Sequence, residues 1–319
     1  MKTNAPARSF LVALVIVFLG PVGTAQTTES DASAATTSQT VSFAVGEGPE
    51  AVVFDGANVW AANQFSNNVV KLRITDGAIV GTYSAGKRPV ALAFDGANIW
   101  IANYLSNNVT KIRASDGLTI ATYSTGDGPG GLAFDGTNIW VANRNSNSVT
   151  KLRAKDGANL GNFRVGNRPL ALAFDGANIW VTNNKSNTVT QIQASDGIVL
   201  GTYAVGKGPF GVTFDGSSIW VANFFSRSVM QLASNGTVVS TVAVGDGPAG
   251  ITYAGGYLWV ANNGSNTVSK IQSGFVIETF AVARGPFGVA FDGANIWVAS
   301  MGAGKVSRIS PPSKLATGP

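Results

Sequence analysis

Seven tryptophans, Trp60, Trp100, Trp140, Trp180, Trp220, Trp259 and Trp297, are all the Trp in the 319-residue chain, and they stand 40, 40, 40, 40, 39 and 38 residues apart. A period near 40 built from short alternating apolar segments is the mark of a propeller blade of four strands. The second unit shows the pattern. Residues 89–94 (PVALAF) are followed by the turn residues Asp95-Gly96, then by residues 98–103 around Trp100, residues 109–113 (VTKIR), a turn at Asp116-Gly117, and residues 120–124 (IATYS). These are strands A to D separated by turn chemistry. Length alone would suggest two domains, but seven equal units predict one all-β ring, a seven-bladed β-propeller of four-stranded antiparallel blades over residues 40–310.

Irregularities in the repeat fit the same assignment. From the strand C valine to the next turn glycine there are eight steps in blade 2 (Val109 to Gly117), seven in blade 5 (Val229 to Gly236) and six in blade 6 (Val268 to Gly274). All of that variation falls in the C-to-D hairpin, where a change of length costs least. The seventh unit has strands A to C and then meets Pro311-Pro312, so it lacks a strand D. Residues 40–45 (TVSFAV) precede the first strand A and resemble residues 201–205 (GTYAV), a strand D. Pairing of this N-terminal strand into the last blade would close the ring by hydrogen bonds.

The sequence Trp180-Val181-Thr182-Asn183, with six neighbours of the form Trp-(Ala/Ile/Val)-(Ala/Thr)-(Asn/Ser), resembles the YVTN repeat family of secreted bacterial β-propellers, with Trp in place of Tyr. The resemblance covers about residues 40–309 and implies a seven-bladed propeller. It extends to streptogramin-lyase-like propellers, whose activity depends on a catalytic His. As a guide to activity it says little, because one fold carries antigens, binding proteins, lactonases and lyases alike.

Most recurring residues have a structural explanation. Pro49, Pro89, Pro129, Pro169, Pro209, Pro248 and Pro286 open each strand A, where a missing amide hydrogen harms the ladder least. Two residues later stand Ala51, Ala91, Gly131, Ala171, Gly211, Gly250 and Gly288, small as the crowded axis requires. Each Trp is expected to lie between blades, contributing roughly 1.5–3 kcal/mol. Asp55, Asp95, Asp135, Asp175, Asp215 and Asp292 precede Gly in the A-to-B turn and Asp76, Asp116, Asp156 and Asp196 in the C-to-D turn. That is turn chemistry, and no DxDxDG calcium loop occurs. Asn63, Asn103, Asn143, Asn183, Asn223 and Asn262 are expected to close the B-to-C turn through bonds to backbone. A basic stripe on strand C (Lys71, Arg73, Lys111, Arg113, Lys151, Arg153, Lys270, Arg308) reads as long side chains with stems packed at the rim and charges in water. A polyanion site is the sharper alternative.

Functional information should lie where the repeat varies. The D-to-A and B-to-C loops share one face around the channel mouth, and the other face carries nearly uniform Asp-Gly turns. The variable loops bring Phe65, Lys87, Arg88, Tyr104, Arg144, Arg168, Lys185, Phe210, Phe224, Phe225, Arg227, Arg284 and Phe287 to that face as candidate ligand-binding residues. Aromatic rings interleaved with Arg and Lys suit stacking on planar or sugar-like groups and contact with anions.

Composition narrows the chemistry. With no His and no Cys, a Ser-His-Asp or Cys-His nucleophile, the usual zinc sites and a disulfide are all excluded. The channel-mouth position carries Glu50, Val90, Gly130, Leu170, Phe210, Ala249 and Phe287, one ionisable group in seven, a poor start for acid-base catalysis. No catalytic residue, metal or cofactor is therefore assigned.

Residues 1–25 read as a secretory signal peptide, with Lys2 and Arg8 before the apolar run of residues 10–19 and small residues Gly23-Thr24-Ala25 before the cleavage point. That run is about half of what a permanent span needs. Residues 26–39 read as a polar linker and 311–319 as a tail. Removal of the leader lowers the formal charge from +5 to about +3, modest for a dedicated nucleic-acid binder.

The reading is an exported monomer, periplasmic or extracellular, acting as a non-catalytic binding module. Its candidate partners are a protein, a glycan or another polyanion. A metal-assisted lactonase or lyase using Glu50 with Asp127 or Asp246 is the main alternative, and a passive cell-surface protein the second.

Overall fold

Alternation of apolar and polar residues over six-residue stretches, broken by Asp-Gly and Asn-containing turns, leaves the chain no route to a core except short strands. The computed structural model describes residues 38–310. It contains seven four-stranded antiparallel sheets, each in the order A-B-C-D, arranged as a seven-bladed β-propeller. In blade 1 the strands are Pro49–Phe54, Asn58–Asn63, Asn68–Arg73 and Ile79–Ser84. Blade 7 takes strands A to C from Pro286–Phe291, Ile296–Ser300 and Lys305–Ser310. Its strand D is the N-terminal Gln39–Ala44, paired from Gln39↔Ser310 to Ala44↔Lys305. Gln39, assigned to the linker from sequence, is thus the first residue of the closing strand. The leader, residues 26–37 of the linker and the tail lie outside the described residues. Among the described residues no helix is long and apolar enough to cross a membrane.

The core is a set of seams between blades. Trp60 of blade 1 shares a buried cluster with Ile99, Ile101 and Ile112 of blade 2, and Trp297 of blade 7 packs with Val59, Ala61 and Leu72 of blade 1. Each of these Trp is fully buried, which a seam can achieve and a lone twisted sheet cannot. An aromatic side chain on strand D covers the indole in six blades. Tyr83, Tyr123, Phe163, Tyr203, Phe280 and, in the closing strand, Phe43 lie 5.2–5.8 Å from their Trp.

The indole N–H cannot be buried unpaired. In six blades it donates to the turn aspartate at 2.7 Å, as Trp60 does to Asp55 and Trp297 to Asp292. The other carboxylate oxygen accepts backbone amides of the same turn, for example Ala97 and Asn98 at Asp95. Burial pushes these carboxyls up, but the indole and amide hydrogen bonds outweigh it, so Asp95, Asp135, Asp175, Asp215 and Asp292 all sit below the usual aspartate value. Blade 6 has Ala254 there, and Trp259 turns to its carbonyl at 3.3 Å.

Two expectations are corrected. The lysines of the strand C stripe do not hold their charges in water. Lys71, Lys111, Lys151 and Lys270 are buried. The first three donate to carbonyls of the following blade, Ala114, Ala154 and Ala194, each at 2.7 Å, with the ammonium 4.9–5.3 Å from the Trp ring centroid. The carbonyl and the ring face offer a compact cation what water would, so the stem packs and the charge follows it inward. Only the companions Arg73, Arg113 and Arg153 are exposed, each paired with the Asp three residues on. The Asn row departs from expectation in part: Asn63, Asn103 and Asn223 do bond to backbone, at the Val45 carbonyl, the Gly86 amide and the Val221 carbonyl. Asn143, Asn183 and Asn262 donate mainly to hydroxyls of strand C, because the amide is fully buried there and the hydroxyl faces it across the ladder.

Candidate functional site at the channel mouth

The B-to-C tips and D-to-A loops do share one face, and hydrogen bonds fix them to each other. A tip serine accepts the amide of the D-to-A loop before it: Ser66 from Glu47, Ser106 from Lys87, Ser146 from Asp127, Ser186 from Asn167, Ser226 from Lys207 and Ser265 from Asp246, at 2.6–3.1 Å. The next residue, Asn in five blades, adopts a left-handed φ of 53–56°. That conformation is costly for most side chains but tolerable for Asn, whose oxygen bonds locally. Here the oxygen accepts an amide of the following blade's loop, as Asn67 does from Arg88, Asn107 from Gly128 and Asn147 from Arg168. In blades 1 to 4 and 6 the tip is thereby joined to two loops, and that much of the face is organised before any ligand arrives.

Exposure of the tip side chains follows a rule. The first residue of each tip is buried or half-buried: Gln64, Tyr104, Arg144, Asn184, Phe224, Asn263 and Met301. The second is exposed: Phe65, Leu105, Asn145, Lys185 and Phe225, with glycine at Gly264 and Gly302. The channel mouth therefore has a strand A ring and a tip ring, of which the sequence reading singled out Tyr104, Arg144 and Phe224.

Arg144 belongs to the second ring and changes the chemistry of the first. Gly130 has no side chain, and a Cβ there would collide with the Arg144 side chain. Through that space the guanidinium reaches across to Glu50 at 3.3 Å and the Gly130 carbonyl at 3.0 Å. Burial raises the Glu50 carboxyl, with Arg144 and then Arg88 pulling the other way, and the net shift is upward. The axial cavity these residues share, about 190 Å³, is otherwise apolar, with Val90, Leu170, Phe210 and Phe287 on its walls.

Around this mouth the candidates separate into two arcs. On blades 2 to 4, Arg88 and Arg144 lie over the Tyr104 ring at 5.1 and 5.4 Å, and Arg88 also donates to Gln64. Arg168 and Lys185 are exposed beside them. An open depression of about 460 Å³ joins Tyr104, Arg144, Arg168 and Lys185 and has no carboxylate in its lining. On blades 5 to 7, Phe210, Phe224, Phe225 and Phe287 form one aromatic patch, with ring centroids 5.1–6.2 Å apart between neighbours.

The remaining candidates stand apart. Arg227 pairs with Asp246 at 2.9 Å, and Arg284 donates to the Gly302 carbonyl. Phe65 lies against Gly48 on blade 1, and Lys87 is exposed. Neither Asp127, which is exposed, nor Asp246 lines the axial cavity with Glu50. Among the described residues no group of three or more His, Cys, Asp or Glu converges as a metal would require.

Comparison with known proteins agrees on the fold. No protein-family model matches the chain, and no curated protein matches it. Solved structures do. A catalytically inactive histidine-to-alanine variant of virginiamycin B lyase from Staphylococcus aureus, determined with quinupristin, is similar over 86% of this chain and 99% of its own, with 21% identity and a TM-score of 0.76. A streptogramin B lyase is similar over 88% and 99%, with 19% identity and a TM-score of 0.76. Hydrazine synthase of Kuenenia stuttgartiensis is similar over 84% and 96%, with 17% identity and the same score. At these identities the likeness establishes the seven-bladed propeller alone.

Proposed function

We propose that the protein is an exported, non-catalytic binding module that takes its ligand at the channel-mouth face. One observation carries this reading. Nine of the thirteen candidates come together as a cationic arc and a continuous aromatic patch around one cavity. Scattered loop substitutions would give no such continuity. Export rests on the leader pattern of residues 1–25, and the Trp-Val-Thr-Asn series adds its resemblance to secreted YVTN propellers.

The neighbouring lyase is inactive once a histidine is replaced, and this chain has no His. The acids required by a lactonase or lyase reading are engaged separately, Glu50 by Arg144 and Asp246 by Arg227.

The test is a binding screen of the chain from residue 26 onward against glycans, peptidoglycan fragments and single-stranded DNA, with Phe224→Ala and Phe225→Ala as controls. A ligand whose affinity falls at least tenfold in both variants supports the proposal. Ligands unaffected by either variant, or turnover of any of them, refute it.

A further inference from the structure

The split between the two arcs specifies the ligand. Resting on the binding-module reading, the geometry points to a small amphipathic anion, with an acidic head in the depression of blades 2 to 4 and an aromatic or acyl body in the axial mouth against the phenylalanines.

The head site is built for negative charge. Arg144, Arg168 and Lys185 line one depression without a carboxylate. Among the described residues Arg88, Arg168 and Lys185 form no ion pair, whereas Arg227 on the same face has Asp246 as its partner. Leaving like charges together without a counter-ion costs stability, and a bound anion recovers it. Neutral donors complete the site. Tyr104 donates its hydroxyl to the Asn145 carbonyl oxygen at 3.3 Å, which orients the Asn145 amide N–H groups away from the tyrosine. Two guanidinium groups, an ammonium and such amides suit the oxygens of a carboxylate, sulfate or phosphate head.

The body site is contiguous with it. Arg144 lines both the depression and the axial cavity, so a ligand whose head meets Arg144 from the depression has its remainder directed to the axis. There it meets Leu170, Phe210 and Phe287, with the Phe224 ring tilted against Phe210 at 6.2 Å. A cavity of about 190 Å³ takes a fused bicyclic ring or a short acyl chain and excludes a folded polymer. Arg144 is held by Glu50, so its charge is partly neutralised at the axial end. The free charge lies on the blade 4 side, at Arg168 and Lys185. Head and body are thus ordered around the ring, and the ligand can enter in one orientation.

Titration calorimetry at low ionic strength can read this with four probes: naphthalenesulfonate, naphthalenemethanol, naphthylmethylammonium and inorganic sulfate. Naphthalenesulfonate is expected to bind at least tenfold tighter than each of the others. The double variant Arg168→Gln, Lys185→Gln should lose at least tenfold for the sulfonate and nothing for the alcohol. Phe224→Ala should weaken the sulfonate and leave inorganic sulfate unchanged. Both sets of side chains are outside the blade seams, and an unchanged circular dichroism spectrum verifies the fold.

Equal affinity for alcohol and sulfonate, or a sulfonate affinity indifferent to the double variant, overturns the assignment. In that event a glycan sensitive to Phe224→Ala would leave the binding-module reading standing. If no probe and no glycan responds to Phe224→Ala, both fall.

Discussion

Replacing Lys111 tests the claim that the basic row on strand C is internal structure. Its ammonium is 2.7 Å from the Ala154 carbonyl in the next blade, 4.9 Å from the Trp100 ring centroid and 3.9 Å from Asp95, with the side chain 7% exposed. In Lys111→Met the chain length and apolar stem survive. What is lost is a charge-assisted hydrogen bond of about 1.5–3 kcal/mol and a desolvated cation–π contact of about 2 kcal/mol. What is gained is release of a buried cation, worth several kcal/mol. Those terms nearly cancel, so the balance rests on the groups left behind, the Ala154 carbonyl without a donor and Asp95 without a counter-charge. An unpaired buried acceptor costs about 1–3 kcal/mol. Asp95 still holds the Trp100 indole and two amides, which limits its share. Net destabilisation of about 2 kcal/mol is expected from urea unfolding followed by Trp fluorescence. Blade 4 has Gln191 at this position, donating to the Ser234 carbonyl at 3.2 Å, so Lys111→Gln should cost about half as much. An unchanged or raised midpoint for Lys111→Met would refute the reasoning and return the row to the list of polyanion-binding candidates.

Three further outcomes follow from the same structure. Phe43→Ala removes the half-buried ring that stacks on Trp297 in the closing blade and should cost about 2 kcal/mol, below the range for a fully buried Phe. It should also speed unfolding more than Tyr123→Ala in an internal blade, and equal rates would show that closure is not the weak point. Gly131→Ala sets a Cβ against the Leu170 carbonyl of the next inner strand, and about 1–3 kcal/mol should be lost in thermal unfolding unless the axis can widen. Stability against pH has two opposed parts. Seven turn aspartates have lowered folded values, five in the A-to-B turns together with the exposed Asp76 and Asp156, and they contribute stability that is present above the ordinary value of 3.8 and lost as pH falls through the folded values. The raised Glu50 contributes the reverse slope, stability declining as pH rises from 4.5. Urea midpoints from pH 7 to 3 should therefore fall steeply only below about pH 4, less so in Asp95→Asn, and a steep loss beginning above pH 5 would contradict this.

How far the sequence is legible depends on whether a residue's role repeats. Trp100, Asp95 and Ser106 recur with the period, so strand order, the inter-blade seam and even the closing role of residues near Phe43 can be read before any coordinates. Lys71, Lys111 and Lys151 recur as well and were still misplaced. Residue type argues for exposure of lysine, and only the carbonyl of the next blade explains the opposite. A signal was present in the substitutions: the same position holds Gln191, Gln231 and Arg308, all donors and never a carboxylate, as a site facing a buried acceptor requires. Arg308 does reach the Ile74 carbonyl of blade 1 across the closure.

The site is less legible because it is made of exceptions. Gly130 reads as one more small residue near the axis, and Arg144 as one more charged loop tip, when each is considered in its own ring. Only together do they make sense. An absent side chain in the inner ring admits a long one from the outer ring, and Glu50, which looked like a lone acid, acquires its partner from two blades away. The same logic explains why the aromatic patch is confined to blades 5 to 7. Phe210 of blade 5 and Phe287 of blade 7 are in edge contact at 5.4 Å with only Ala249 between them in the inner ring, whereas blade 3 has Gly130 there, so aromatic bulk and the one missing side chain lie in different blades. Charge has entered where the space is. A ring with sevenfold backbone symmetry has become a site with one polar direction through no change of fold, only through which inner-ring positions are large and which are vacant.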